Sequence, residues 1–303
     1  MSGAEHLRAM ARLVVRGLRE RPSGAPGAAS PRRRLAVEKT VTVDPARIRR
    51  YLRATDGGGI GAFESRDAIV PPLFGATWSA TAALELLGQI DPPLPLGGFI
   101  HLEEEVLPVR PVRPGERVRF RMELDRVERT PRGTRLTLIA RTWNPAGVLC
   151  AQSTSVILAR GRDPRPAPPS ERPPRVEETE TWSEVEAWDL ASRAGRRYAL
   201  ASGDYNPIHL WGVTARPFGF RRPILHGFCT AAHVAHALIR RLLDGDARAL
   251  RRLQVSFRAP VLLPARIRLL TADGAPHRFR VTDAGGVVVF AEGSCSAPDG
   301  PAA

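Results

Sequence analysis

The chain has almost no lysine, little cysteine and no long apolar run. Lys39 is the only lysine among 45 basic residues, which outnumber 31 acidic ones and leave a net charge of +14. Basic charge carried almost wholly by arginine and spread along the chain, beside abundant Ala, Pro and Gly, reads as the amino-acid usage of a GC-rich genome. No aromatic–basic interleaving or recognised motif supports a nucleic-acid-binding function, although a basic surface favours any anionic ligand. Cys150, Cys229 and Cys295 form no CxxC pair. Their odd number argues against a disulfide framework and a zinc site and fits a reducing cytoplasm. No stretch approaches the ~18 apolar residues needed to cross a bilayer, so no membrane-spanning segment is expected. Arg12 and Arg16 interrupt what would be the apolar core of a signal peptide.

What is present is enough chain for one large domain or two of about 150 residues, with a core that needs no disulfide or metal staple. Residues 1–35 read as a basic, frayed tail: eight arginines stand in it against Glu5 and Glu20. Residues 161–178 read as a semi-rigid linker, because prolines fill six of the fifteen positions from Gly161 to Arg175 and can enter neither a helix interior nor a central strand. The flanking halves, 36–160 and 179–298, share landmarks in the same order. Pro71-Pro72-Leu73-Phe74-Gly75 precedes a helical stretch to about Leu87, and Pro223-Ile224-Leu225-His226-Gly227 precedes one to about Leu243. Pro111 and Pro114 parallel Pro260 and Pro264 further on, and Asn144 to Val148 parallels Asp283 to Val287. The shared order implies an internal repeat.

Within each half, an early helix and a Pro-Gly helix are followed by three or four strands. Val118, Phe120, Met122 and Leu124 alternate with polar residues, as do Ile267 and Leu269, the signature of half-buried strands. Val287-Val288-Val289-Phe290 is continuous and is expected to be a strand covered on both faces. Strands after a helix predict an α+β layer, an antiparallel sheet packed on that helix. The helix from Phe228 onward is apolar on nearly every face and is expected to be buried.

The chemistry-bearing stretch runs from Tyr198 to Thr230. A helical run ends at Ser202-Gly203-Asp204, and Asn206-Pro207 prevents its continuation. Asp204 and His209 then fall on one loop with Asn206 between them. A carboxylate and an imidazole sharing one water can remove one proton and deliver another. An Asx-turn at Asp204 with His209 as a satisfied loop residue explains the same spacing. His226-Gly227 precedes the buried helix. Gly227 lets a ligand approach the backbone, and its N–H at a helix start favours negative charge; a proline-glycine entry to a packed helix would look alike. His233 and His236, three apart on that helix, are expected in core or helix-surface roles rather than on a metal.

Ser202-Gly203-Asp204-Tyr205-Asn206-Pro207-Ile208-His209, Gly219-Phe220 and Pro223 to Gly227 together resemble the signature of the MaoC-like dehydratases and R-specific enoyl-CoA hydratases. The Val255 to Val261 stretch is similar to that family too. The resemblance implies a double hotdog, two repeats each of a long buried helix wrapped by an antiparallel β-sheet. It implies a hydro-lyase interconverting trans-2-enoyl and (3R)-3-hydroxyacyl thioesters without a metal or other cofactor. Asp204 and His209 would activate water, Asn206 would hydrogen-bond the pair or the water, and the Gly227 N–H would bind the thioester oxygen. Ser202, His226 and Arg258 are the substrate-binding candidates. The expected partner is an acyl-CoA or acyl-carrier-protein thioester, in the cytoplasm, with room for a homodimer.

Departures from the family pattern are informative. Leu210-Trp211-Gly212 stands where the family often has an aspartate-proline pair, which bears on acyl chain length. In the first half Tyr51 to Gly59 is the counterpart of Tyr198 to Asn206. There Gly57 replaces Asp204, Phe74 replaces His226, and His101 is the only nearby histidine, on an expected strand. The N-terminal repeat is therefore expected to be non-catalytic. A hotdog thioesterase is disfavoured because Phe228 to Ile239 carries no acid, and a binding or scaffold subunit because the C-terminal constellation is intact.

Overall fold

Alternating burial sets the sheet. The computed structural model describes residues 8, 9, 11, 12, 35–90, 99–160 and 180–297; the basic tail, apart from those few residues, and the proline-rich linker lie outside them. In chain order the first half carries β1 (Ala36–Thr42), α1 (Pro45–Ala54), α2 (Gly61–Glu64), α3 (Ala76–Leu87), β2 (Phe99–Pro108), β3 (Arg117–Thr130), β4 (Gly133–Trp143) and β5 (Leu149–Arg160). The second carries β6 (Trp182–Leu190), α4 (Ala194–Ser202), a 3-10 turn at Pro207–His209, α5 (Gly212–Ala215), α6 (Gly227–Leu242), β7 (Arg252–Phe257), β8 (Ala265–Ala272), β9 (Ala275–Asp283) and β10 (Val289–Ser296). Along β3 the predicted residues Val118, Phe120, Met122 and Leu124 are buried, and Ile267 and Leu269 are buried on β8, because successive strand residues point to opposite faces.

The strands form one sheet in the order β1-β3-β4-β5-β2-β7-β10-β9-β8-β6, antiparallel throughout. Read outward from the centre, the two halves have the same order, so the repeat inferred from sequence is a repeat of topology. The halves meet where β2 pairs with β7, Glu103 opposite Ser256 through Val106 opposite Leu253. Each half wraps its sheet around one helix, α3 or α6, which makes the α+β double hotdog. Every residue of α6 from Cys229 to Ile239 is buried, and its alanines let the surrounding layers approach closely. A Val, Leu or Ile buried there contributes about 1.5–3 kcal/mol.

Polar contacts also tie the halves. Arg47 of α1 donates through Nε to Ala201 O at 2.7 Å, and through Nη2 to Thr77 O at 2.7 Å and to Ser202 O. Trp188 Nε1 donates to Asp56 Oδ2 at 3.0 Å, and Arg240 joins Asp56 O to Glu186. His233 and His236 sit in the core, as expected. His236 donates from Nδ1 to Thr55 O at 3.0 Å, and His233 does so to Cys229 O at 2.8 Å.

One expectation fails. Val287 and Val288 do not lie in a covered strand: Val287 is 84 % exposed, both stand in the β9–β10 connection, and only Val289 and Phe290 of the run enter β10, half-buried. Gly286 takes φ +72°, and Asp283 exchanges hydrogen bonds with Val288 across the turn. The glycine pair before the valines outweighs their apolar character.

Burial lowers the pKa of His236 to about 4, against ~6.5 when unfolded. Between these values the unfolded chain binds the extra proton, so His236 contributes stability above about pH 6.5 that is lost as pH falls towards 4. Urea unfolding at pH 7 and 4.5 should show a loss of about 2 kcal/mol from this residue. His236→Asn, which keeps a donor for Thr55 O, should remove that part of the loss; an unchanged difference would contradict the assignment.

Candidate active site

The site is built on the chain between α4 and α6. Gly203, at φ +78°, closes α4 in the left-handed conformation, which glycine adopts without the Cβ penalty. The Asp204 N–H then donates to Ser202 Oγ at 3.1 Å, and the Asn206 N–H donates to Asp204 Oδ1 at 3.1 Å. Asn206 Oδ1 accepts from Ile208 N at 3.4 Å and caps the turn that carries His209. The Asx-turn reading and the chemical reading therefore describe the same carboxylate: one oxygen shapes the loop while Oδ2 lies 4.0 Å from His226 Nε2.

Backbone carbonyls fix both imidazoles. His209 Nδ1 lies 2.9 Å from Ile224 O, and His226 Nε2 lies 3.1 Å from Asp204 O. A carbonyl only accepts, so each of these nitrogens carries a proton. In neutral His209 the nitrogen that can accept a further proton is Nε2. The two rings stack with centroids 3.6 Å apart, and Tyr198 packs on the other side of His226 at 4.8 Å. Side-chain ligand atoms of Asp204, His209 and His226 all fall within 4.8 Å of one another, a spacing that could also hold a cation.

Of the sequence candidates, Asp204, His209 and His226 come together, and Gly227 follows as the first residue of α6. The others are placed differently. Ser202 is buried, and its hydroxyl accepts from the Asp204 amide, which shapes the loop. Asn206 acts on the loop through its cap. Arg258 is exposed and paired with Glu292, its Nη2 2.7 Å from Oε1. A cleft of about 270 Å³ is lined among others by Arg47, Arg50, Phe74, Trp78, Gly203 and Tyr205; Asp204, His209 and His226 are not in its lining. Both halves contribute to it.

Residues 169–283 match the family model described as MaoC like domain. That stretch is similar to a MaoC-like domain. It is 28% identical over 246 residues to 3-hydroxyacyl-thioester dehydratase X of Mycobacterium tuberculosis, covering 80% of this chain and 81% of that protein. The crystal structure of HtdX from the same organism superposes with a TM-score of 0.67 at 23% identity, over 88% of this chain and 100% of that one. Enoyl-CoA hydratase 2, peroxisomal, of Arabidopsis thaliana is 43% identical over 56 residues, 18% of each protein.

Two features of this MaoC-like site were not singled out by sequence reasoning. Arg47 lies outside the signature, and no local pattern marks it; only the fold shows it gripping the end of α4. Burial lowers its pKa from the ordinary arginine value, and charge-assisted hydrogen bonds to three carbonyls compensate that burial. His101, set aside as a strand residue, is on β2 but also reaches the start of α6. Where the family's aspartate-proline pair is missing, Trp211 is half exposed and Arg196 lies over its ring at 5.9 Å.

Gly195 of α4 packs directly on the Pro207–His209 turn: a Cβ there would stand 2.2 Å from His209 O. Gly195→Ala should displace the Pro207–His209 turn. The expected result is loss of the His209 Nδ1–Ile224 hydrogen bond in histidine ¹H–¹⁵N spectra and a destabilisation of about 1–3 kcal/mol. An unaltered His209 spectrum would contradict this packing.

Proposed function

We propose that the chain is a hydro-lyase that interconverts trans-2-enoyl and (3R)-3-hydroxyacyl thioesters. The observation that carries this reading is the Asp204–His209–His226 cluster at the head of the buried helix, with the His209 tautomer fixed by Ile224 O. The similarity to a 3-hydroxyacyl-thioester dehydratase over four-fifths of the chain supports it.

In hydration, Asp204 and His209 hold one water. His209 Nε2 takes its proton as the oxygen adds to Cβ, and the pair delivers a proton to Cα; dehydration follows the same path in reverse. Each such proton transfer is worth ~10²–10⁴ in rate. The Gly227 N–H is the first amide of α6 and has no partner within the helix. It is the donor for the thioester oxygen as that oxygen gains charge, a contribution of ~10²–10³. Asn206 and Ser202 keep Asp204 and His209 in place.

The carrier is acyl-CoA in this reading, since an arginine-rich surface attracts its phosphates; an acyl-carrier-protein thioester is the alternative. Each chain holds one active site. The N-terminal half lacks the Asp/His pair, and at its matching position a Cβ on Gly57 would stand 2.7 Å from the His236 ring. Residues 36–160 thus form a repeat without its own catalytic loop, and 179–298 the catalytic one. The cytoplasm remains the expected compartment; among the described residues no helix is long and apolar enough to cross a membrane.

The test is turnover of trans-2-enoyl-CoA substrates of several chain lengths, with matched acyl-carrier-protein thioesters and with product chirality determined. The expected product is the 3R alcohol, formed faster from the CoA thioester. Asp204→Asn and His209→Ala should each lower kcat/KM by ~10²–10⁴. Undiminished turnover in both variants would contradict the mechanism, and release of free thiol without hydration would point to a thioesterase.

A further inference from the structure

The N-terminal repeat has lost its catalytic loop, yet it places a polar cluster against the start of α6. His101, on β2, stands with its side chain 18% exposed and its Nε2 3.1 Å from Glu104 Oε2. Glu104 is 1% exposed, and its Oε2 also accepts from Ser155 Oγ at 2.5 Å. The His101 ring lies between Phe228 and Phe257, each with its centroid 4.8 Å away. Its Nδ1 faces Gly227, 3.2 Å from the point where a Cβ would stand. Glycine at 227 is what allows ring and helix start to come this close. The β2–β7 pairing brings this about, since it carries the end of β2 alongside the β7 end that leads to Phe257.

We propose that His101, held by Glu104, is a thioester-contacting residue, so that the N-terminal repeat completes the active site by donating a hydrogen bond from Nδ1 to the thioester oxygen beside the Gly227 N–H. This rests on the thioester reading above and deepens it. The proton arrangement favours a donor. Glu104 faces Nε2 of the ring; a buried Glu104 that keeps its proton donates it to Nε2, and the neutral ring then carries its own proton on Nδ1. Burial pushes the Glu104 carboxyl above its usual range, with His101 and Ser155 pulling the other way, which fits a proton kept within the pair. Two donors from opposite repeats then converge where negative charge develops, an arrangement that acts on the transition state more than on the bound substrate.

The experiment uses the full chain and butyryl-CoA carrying ¹³C at the thioester carbonyl, a saturated ligand that cannot be hydrated. Infrared difference spectra of the bound carbonyl should show a downshift that shrinks in His101→Leu and returns in His101→Asn, which keeps an N–H near the Nδ1 position. With an enoyl-CoA substrate, His101→Leu should lose 10–100-fold in kcat with KM changed less than about threefold, and His101→Asn should recover most of the loss. In wild-type protein with ¹⁵N-labelled histidine rings, the His101 Nδ1 resonance should move when butyryl-CoA binds, a readout that stands even if the leucine variant does not fold. An equal carbonyl downshift in wild type and His101→Leu, or an unmoved Nδ1 resonance, overturns the proposal. A carbonyl shift that depends on His101 in a chain that hydrates nothing would uphold the contact while overturning the reaction. Failure of wild type to bind butyryl-CoA overturns both.

Discussion

The antiparallel pairing of β2 with β7 is the constraint on which the rest depends. It turns two five-stranded halves into one sheet and so fixes how the two buried helices and their preceding loops face each other. Tyr51 of α1 and Tyr198 of α4, on matching helices of the two repeats, then meet with ring centroids 6.0 Å apart. Arg47 reaches the end of α4, and His236 reaches Thr55. A chain with either half alone would leave these backbone carbonyls and the shared edge strands without partners, a cost that buried polar groups do not tolerate.

From that frame the site follows by short steps. Burial of α6 on all sides anchors its first turn. The chain entering that turn supplies the Ile224 carbonyl that sets the His209 tautomer, and the chain leaving α4 supplies the Asp204 carbonyl that orients His226. Neither imidazole is free to choose its orientation, so in the proposed hydration proton acceptance at His209 Nε2 is prepared before any ligand arrives. Such preparation avoids reorganisation during reaction, which is where most electrostatic catalysis is gained. The first repeat has moved along a different course. At Gly57 the space a side chain would need is taken by Leu52 and the His236 ring, so this loop docks the two halves.

Much of this was legible in the residues because it is local. The period-two pattern of Val118 to Leu124, the all-round apolar face of the helix after Gly227, and the Gly203–Asn206–Pro207 turn each carry their own conformational logic. Asp204, His209 and His226 were legible because they stand on one short stretch around that turn. What was not legible depends on pairing distant strands. Nothing near Arg47 or His101 in sequence marks either residue; each acquires its position from the other repeat. Ser202 and Asn206 stand on the same stretch, and their side-chain oxygens accept from loop amides. Polar residues at a tight turn satisfy local N–H groups before they meet a ligand. The valine run before Phe290 was misread because glycine-driven turn geometry outweighed hydrophobicity.

The most direct measurement is a crystal structure of the full chain with a bound enoyl or 3-hydroxyacyl thioester. The account predicts the ligand's Cβ about 3–3.5 Å from the water or hydroxyl oxygen held between Asp204 and His209 Nε2, with the thioester oxygen at the Gly227 N–H. A ligand whose reacting carbons lie instead beside Phe74 and Gly75, in the N-terminal repeat, would contradict it.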